Sequence, residues 1–135
     1  MKMGDKLKDD GYCFVCGKSN PYGLGLEFKQ TDHGVTASFC ADRRFQGYKG
    51  IVHGGIIAAL LDEASVKALL LRGIKAVTAE INLRFKNPLS VNEEAIVNAD
   101  IVQSHGKLHV IRAEIVNSGS KVIAHSMAKL FRYDE

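Results

Sequence analysis

The sequence predicts an α+β fold in which one long apolar helix packs against an antiparallel sheet of about six strands. Three observations lead to this prediction. The stretch from Gly50 to Gly73 is almost entirely apolar, two segments before it alternate apolar and polar residues, and four segments after it do the same. An antiparallel sheet that curls round such a helix would bury most of the helix surface.

Length and composition indicate a single globular domain spanning residues 1–135. The chain is 46% hydrophobic and 24% charged, and its net charge of +3 is spread along it, so no nucleic-acid partner is implied. Residues 1–11 are polar and are expected to be flexible. No apolar run could span a bilayer and the N-terminus lacks a signal-peptide core, so we expect a cytoplasmic protein without a membrane partner.

Two strands are predicted ahead of the helix and four behind it. Residues 24–30 and 34–40 alternate and are joined by a hairpin, and residues 76–85 alternate for ten positions before Asn87-Pro88 ends the strand. In that strand the predicted packing face is Val77, Ala79, Ile81, Leu83 and Phe85, which leaves Thr78 on the polar face. Residues 93–104, 107–117 and 121–133 follow, with connections short enough for hairpins.

The helix has two different faces when its residues are placed at 3.6 per turn. The broad packing face contains Ile57, Leu60, Leu61, Ala64, Ala68 and Leu71, and the opposite stripe contains Gly55, Ala58, Ala59, Asp62 and Ser65. A single carboxylate therefore lies among small residues, where another backbone or a ligand can approach closely.

The start of the helix is predicted to bind a negatively charged group. No Ser, Thr, Asp or Asn is present to cap it, and Gly54 and Gly55 leave the first-turn amides open as donors. Because the helix dipole also favours negative charge there, the site suits a carbonyl oxygen that gains charge during acyl transfer. Gly55 and Asp62 are seven residues apart on one face and can flank the same substrate.

Three neighbouring side chains have alternative interpretations. Asp62 is either functional or paired with Lys67, Ser65 or a backbone amide, because an unpaired carboxylate in an apolar setting costs several kcal/mol. Glu63, at i,i+4 from Lys67, is the better partner for that lysine and is a weaker candidate. His53 lies at the positive end of the helix, which favours neutral imidazole, and it either orients the helix start or bonds a neighbouring loop.

The cysteines and basic residues give weaker signals. Cys13 and Cys16 form a C-x-x-C, but a tetrahedral zinc site would need Cys40 and a histidine to complete it, so structural packing without a metal is expected. Neither a dinucleotide-binding nor a P-loop motif is present, and no redox cofactor is expected. Five basic residues lie nearest the helix in sequence, namely Arg43, Arg44, Lys49, Arg84 and Lys86. They are either surface charges or contacts for the phosphates of a carrier such as coenzyme A.

Several motifs together resemble a known family. GIVHGG at residues 50–55, ALLDEA at 59–64 and TAEINLRF at 78–85 resemble the hotdog-fold acyl-CoA thioesterases of the phenylacetate-degradation type. CFVCG at 13–17 and NPYGL at 20–24 are similar to one bacterial branch of that superfamily. The resemblance implies a long helix wrapped by a curved antiparallel sheet, homodimers or homotetramers whose sheets join edge to edge, and active sites at the dimer interface.

The resemblance also implies a reaction, hydrolysis of acyl-CoA to free acid and thiol without a cofactor. The amides of Gly54 or Gly55 would polarise the carbonyl, and Asp62 would act as general base or nucleophile. His53 and Thr78 would orient the carbonyl and the water, although Thr78 must reach the site across an interface or through a local twist. Relatives often carry Asn or Gln where this chain has Gly47, so either Gln46 substitutes by a shift of one residue or that interaction is missing. Substrate contacts are thus expected from Gln46, Thr78, Glu63 and Ser65.

Two other functions fit the same sequence. A non-catalytic module that binds acyl thioesters or another small ligand could use this fold, because fold does not fix function. An acyl-thioester hydratase or dehydratase would need a base placed over the α and β carbons of the acyl group.

Overall fold

The computed structural model describes residues 7–133 and has the predicted order of two strands, one helix and four strands. The elements are β1 (Lys29–Gln30), β2 (Gly34–Cys40), α1 (Gly54–Leu70), β3 (Ala76–Phe85), β4 (Glu94–His105), β5 (Leu108–Asn117) and β6 (Val122–Arg132). A short 3-10 helix, Arg43–Phe45, lies between β2 and α1. Flexibility was predicted for residues 1–11, of which residues 1–6 lie outside the described part of the chain.

The six strands form one antiparallel sheet in the order β1-β2-β4-β5-β6-β3. Helix α1 connects β2 to β3 across the sheet, so β3 becomes the edge strand opposite β1. The predicted first strand, residues 24–30, is too long, since only its last two residues pair with β2. The amides of Leu24 and Leu26 instead donate to the carbonyls of Phe14 and Val15, which joins this segment to the N-terminal loop.

Helix α1 packs on β2, β3, β4, β5 and β6, so its apolar face forms the centre of the core. The predicted packing residues are buried, except that Leu71 is 39% exposed and Leu69 is buried instead. The reason is that α1 ends at Leu70 and the chain turns away through Gly73, which has a φ of +82°. No helix within residues 7–133 is long and apolar enough to cross a membrane.

Strand β3 contains a bulge that reverses its inward and outward faces. Thr78 pairs with Leu130 and Glu80 with Lys129, so Ala79 has no partner on β6. Ala76 is buried before the bulge, whereas Ile81 and Leu83 pack against the core after it. The predicted unbroken alternation is therefore wrong at Val77 and Ala79, and Phe85, which was predicted to pack, is 55% exposed. Thr78 turns toward the helix.

Candidate active site

The Asp62 carboxylate is held by Thr78. The Thr78 hydroxyl donates to Asp62 Oδ1 at 2.6 Å, and both side chains are half-buried between α1 and β3. Asp62 Oδ2 makes no hydrogen bond or ion pair with any residue in 7–133. The alternative partners considered from the sequence, Lys67, Ser65 and a backbone amide, are not used. One oxygen of the carboxylate is thus fixed and the other remains available as an acceptor.

Ser65 was expected beside the substrate, and the structure contradicts this. Its side chain is fully buried, and its hydroxyl donates to the Leu61 carbonyl at 2.9 Å. A serine inside a helix satisfies its hydroxyl in this way when the sheet covers it. Ser65 therefore belongs to the core, although it shares a stripe of the helix with Asp62.

His53 caps the helix, which agrees with the interpretation that it orients the helix start, although a cap by a histidine side chain was not predicted. Its Nδ1 accepts from the Gly55 amide at 2.8 Å, so Nδ1 is unprotonated and the neutral ring carries its proton on Nε2. The prediction of open first-turn amides is consequently wrong for Gly55. The amide of Gly54 has no hydrogen-bond partner within residues 7–133, and it remains as a donor at the positive end of the helix.

The side chain of Gln46 stabilises the loop that leads to His53. Its Oε1 accepts from the Gly50 amide at 2.8 Å, and the His53 amide donates to the Phe45 carbonyl. A Cβ atom on Gly47 would lie 3.2 Å from His53 Cα, so a larger residue at position 47 would crowd the histidine. The side-chain nitrogen of Gln46 has no hydrogen-bond partner among the described residues and can face a ligand.

Two clefts meet at His53. One, of about 610 Å³, is largely aromatic and apolar, with Phe14, Tyr22, Arg44, Phe45, Gln46, His53, Gly55 and Ile56 lining it. The other, of about 620 Å³, is lined by Gln46, Gly47, Tyr48, Ile51, Val52, His53 and Gly54. Neither Asp62 nor Thr78 lines either cleft. The expectation that Gly55 and Asp62 flank one substrate is therefore not met within a single chain.

Glu63 lies away from these clefts, beside the two N-terminal cysteines. Its two carboxylate oxygens accept from Cys13 Sγ at 3.5 Å and from Cys16 Sγ at 3.7 Å, and it forms no ion pair with Lys67. Burial, the hydrogen bond with Cys13 and the negative charge of Glu63 raise the pKa of Cys16 to about 12. These contacts span 47 and 50 residues, and no local sequence pattern indicates them.

Cys13, Cys16 and Glu63 are the residues in 7–133 that could hold a metal ion, because their ligand atoms lie within 4.8 Å of one another. Cys40, considered as a possible fourth ligand from the sequence, is exposed on β2 and does not join this group. The C-x-x-C pattern predicts structural packing, and nothing in the local sequence pairs it with Glu63.

The family model described as the thioesterase superfamily matches residues 49–124. The chain belongs to the thioesterase superfamily. The match begins at the loop before His53 and includes α1 and β3, so it covers Gly54, Asp62 and Thr78. The N-terminal loop with Cys13 and Cys16 lies outside it.

This superfamily member is similar to acyl-coenzyme A thioesterase THEM4 of Mus musculus, with 26% identity over 113 residues, 81% of this chain and 49% of that protein. The chain thus spans about half the length of the curated relatives that it matches. Its fold matches the E. coli PaaI protein from the phenylacetic acid degradation operon, at a TM-score of 0.77 and 23% identity, covering 82% of this chain and 81% of that one.

A hypothetical thioesterase from Streptococcus pneumoniae, solved with coenzyme A, matches at a TM-score of 0.75 and 18% identity, over 79% of this chain and 87% of that one. These matches establish the hotdog arrangement of one long helix against an antiparallel sheet, as the sequence motifs predicted.

Proposed function

We propose that this protein hydrolyses an acyl-CoA thioester to the free acid and the thiol. Asp62 acts as the general base or the nucleophile, and the Gly54 amide stabilises the oxyanion. The observation that carries this proposal is the half-buried Asp62 carboxylate, which Thr78 holds by Oδ1 while Oδ2 stays open. A carboxylate fixed in this way is oriented before substrate arrives, and such orientation lowers an activation barrier.

The chemistry at Asp62 follows one of two routes. As a base, Oδ2 takes a proton from a water molecule that attacks the thioester carbonyl carbon. As a nucleophile, Oδ2 attacks that carbon itself and forms a mixed anhydride, which water then hydrolyses. In both routes the C–S bond breaks, and the departing CoA thiolate takes up a proton.

The oxyanion of the tetrahedral intermediate needs donors, and the start of α1 provides them. The Gly54 amide is unpaired within residues 7–133 and lies at the positive end of the helix. His53 contributes in two ways, since its Nδ1 accepts from Gly55 and its Nε2–H, which has no acceptor among residues 7–133, can donate to the carbonyl. Gln46, beside His53, offers its side-chain nitrogen to the same ligand.

Two copies of the chain are needed to bring these groups together. Gly54 and Asp62 are about 12 Å apart along the helix axis, and Asp62 lines neither cleft at Gly54. Gly54 lies at the Phe85 end of β3, where a Cβ atom on it would be 3.7 Å from the Phe85 ring, and Asp62 lies at the Thr78 end. The two functional groups thus belong to opposite ends of one edge strand.

When β3 pairs antiparallel with the β3 of a second copy, the Phe85 end of one strand lies beside the Thr78 end of the other. The outer side of β3 has no neighbouring strand among residues 7–133, and an open edge of ten residues is a template for pairing. A twofold axis near the middle of β3 then sets the Asp62 of one subunit opposite the Gly54 of the other. The resulting homodimer has two active sites, each built from both chains.

Coenzyme A fits the surroundings of this site. The aromatic cleft beside Gly55 suits an acyl or pantetheine chain. Arg43 and Lys49 are exposed and each is next in sequence to a residue that lines a cleft, so phosphates can bind them. Arg44 is less suited, because it pairs with Asp42 and lies over the Phe45 ring. Support comes from the Streptococcus pneumoniae structure with coenzyme A and from a Streptococcus mutans structure with acetyl-CoA.

Measurement of free thiol released from a panel of acyl-CoAs tests this function. We expect turnover by the wild-type protein and a loss of about 100-fold to 10,000-fold in kcat for Asp62→Asn. Asp32→Asn, in the exposed turn between β1 and β2, is the matched control and should retain full activity. Binding of acyl-CoA without turnover would contradict hydrolysis and favour a binding module, and reversible hydration of an enoyl-CoA would favour a hydratase.

A further inference from the structure

We propose that Cys13, Cys16 and Glu63 form a zinc-binding site that fastens the N-terminal loop to α1. The three ligand atoms lie within 4.8 Å of one another. In tetrahedral zinc with ordinary bond lengths, a sulfur and an oxygen ligand are about 3.6 Å apart. The sulfur to oxygen distances here are 3.5 Å from Cys13 to Glu63 Oε2 and 3.7 Å from Cys16 to Glu63 Oε1, so each sulfur already lies at zinc-ligand spacing from one oxygen of the carboxylate.

The loop around the cysteines is shaped to present its sulfurs. The amides of Val15 and Cys16 point at Cys13 Sγ, at 3.4 and 3.5 Å. Donors of this kind orient metal ligands and help a sulfur carry negative charge. Gly17 closes the loop, with its amide donating to the Cys13 carbonyl, and a Cβ there would lie 2.3 Å from the Cys13 nitrogen. The turn therefore requires glycine immediately after Cys16.

The charges around the site suit a divalent cation. A metal ion that displaces the two thiol protons would face two thiolates and one carboxylate, which together carry three negative charges. Zinc supplies two positive charges, and Lys67 acts electrostatically on Cys16 in the same favourable direction.

The ligand set selects the metal and leaves one position for a small ligand. Thiolates favour zinc over magnesium or calcium, which prefer oxygen ligands. A cleft of about 540 Å³ is lined by both cysteines and Glu63, and it has room for a water molecule as the fourth ligand.

The site would act on the rest of the molecule through Phe14. This residue lies between the two cysteines, lines the aromatic cleft and packs edge to face on Phe45, with ring centroids 6.2 Å apart. Glu63 directly follows Asp62 on α1. A metal ion bound by both the loop and Glu63 would therefore fix the position of Phe14, and with it one wall of the aromatic cleft, relative to α1.

Metal titration of the full-length chain tests this proposal. The reduced protein is freed of metal with a chelator, zinc is added against a competing chromophoric chelator, and cobalt(II) is added in a parallel series. We expect one zinc per chain and a cobalt spectrum with a thiolate charge-transfer band. Cys16→Ser and Glu63→Gln should each weaken zinc binding by at least about 100-fold, since loss of even an outer partner costs 10-fold to 100-fold.

Matched controls are provided by Cys40 and Glu94, which face each other across β2 and β4. Cys40→Ser and Glu94→Gln should bind zinc as the wild type does. Zinc should also raise the melting temperature of the wild type and of both controls, and leave Cys16→Ser unchanged. Circular dichroism checks that every variant is folded. Absence of stoichiometric zinc binding, or equal binding by the wild type and Cys16→Ser, would overturn the proposal.

Discussion

The hydroxyl of Thr78 donates a 2.6 Å hydrogen bond to Asp62 Oδ1, and this bond joins the edge strand β3 to the middle of α1. It exists because of the bulge at Ala79, which turns Thr78 inward while Ile81 and Leu83 still pack against the core. The bond leaves the two oxygens of Asp62 in different environments, with Oδ1 bonded to Thr78 and Oδ2 without a partner among residues 7–133.

Replacement of Thr78 should therefore separate catalysis from binding. In Thr78→Val the anchor is lost while the side chain keeps its shape, and a hydrogen bond to a charged group contributes about 1.5–3 kcal/mol. We expect kcat to fall by about 10-fold to 100-fold, with little change in KM. Thr78→Ser keeps the hydroxyl and should restore most of the activity. Equal activity in the valine and serine variants would show that the bond plays no part in turnover.

Variants of His53 should distinguish its capping role from its role toward the carbonyl. His53→Ala removes the acceptor for the Gly55 amide and should lower the free energy of unfolding by about 1 kcal/mol. His53→Asn supplies another capping side chain, so it should keep the stability of the wild type but lack the Nε2–H donor. Denaturant unfolding at one protein concentration measures the first effect and thiol release the second. An alanine variant as stable as the wild type would contradict the cap.

The fold was predictable because its signals are local. Alternation at intervals of two and an apolar stretch of helical length fix the number, type and order of elements, and the motif around His53 and Asp62 indicated the family. The shortened β1 was missed because Leu24 and Leu26 bond to the loop at Phe14 and Val15, which is a long-range pairing. A local twist at Thr78 was one of two predicted alternatives, but the bulge at Ala79 itself was not predicted, since the residues of β3 alternate perfectly in sequence.

The site was only partly predictable for the same reason. Asp62 and Gly54 were identified from the helix pattern and remain proposals for the reaction. The cap by His53 on Gly55 was missed because sequence rules for caps concern Ser, Thr, Asp and Asn. The meeting of Glu63 with Cys13 depends on tertiary packing, which single-sequence periodicity does not report.

The raised pKa of Cys16 predicts slow alkylation. At pH 8 Cys16 remains a neutral thiol, because burial and Glu63 raise its pKa to about 12, whereas Cys40 is exposed. In the presence of a chelator, iodoacetamide should modify Cys40 well before Cys16, and the rate at Cys16 should rise as the pH is raised toward that pKa. Peptide mass spectrometry measures both rates. Equal rates at pH 8 would show that Cys16 is not shielded.

Removal of the Gly54 amide should strongly reduce turnover without unfolding the helix. Gly54 is the first residue of α1, where proline is favoured, and His53 has a ψ of 136°, which a following proline requires. Gly54→Pro should thus fold and lose roughly 100-fold to 1,000-fold in kcat. Gly54→Ala keeps the amide, and its Cβ meets Phe85 at an ordinary 3.7 Å, so it should stay far more active. Similar kcat values for the two variants would exclude the amide as an oxyanion donor.

The central claim is that each active site combines Asp62 of one subunit with Gly54 of the other. The most direct test co-expresses Asp62→Asn and Gly54→Pro chains with different tags and purifies the mixed dimer. One of its two sites would then contain both intact groups, so we predict about half of the wild-type activity from two inactive parents. A mixed dimer as inactive as its parents would contradict the account.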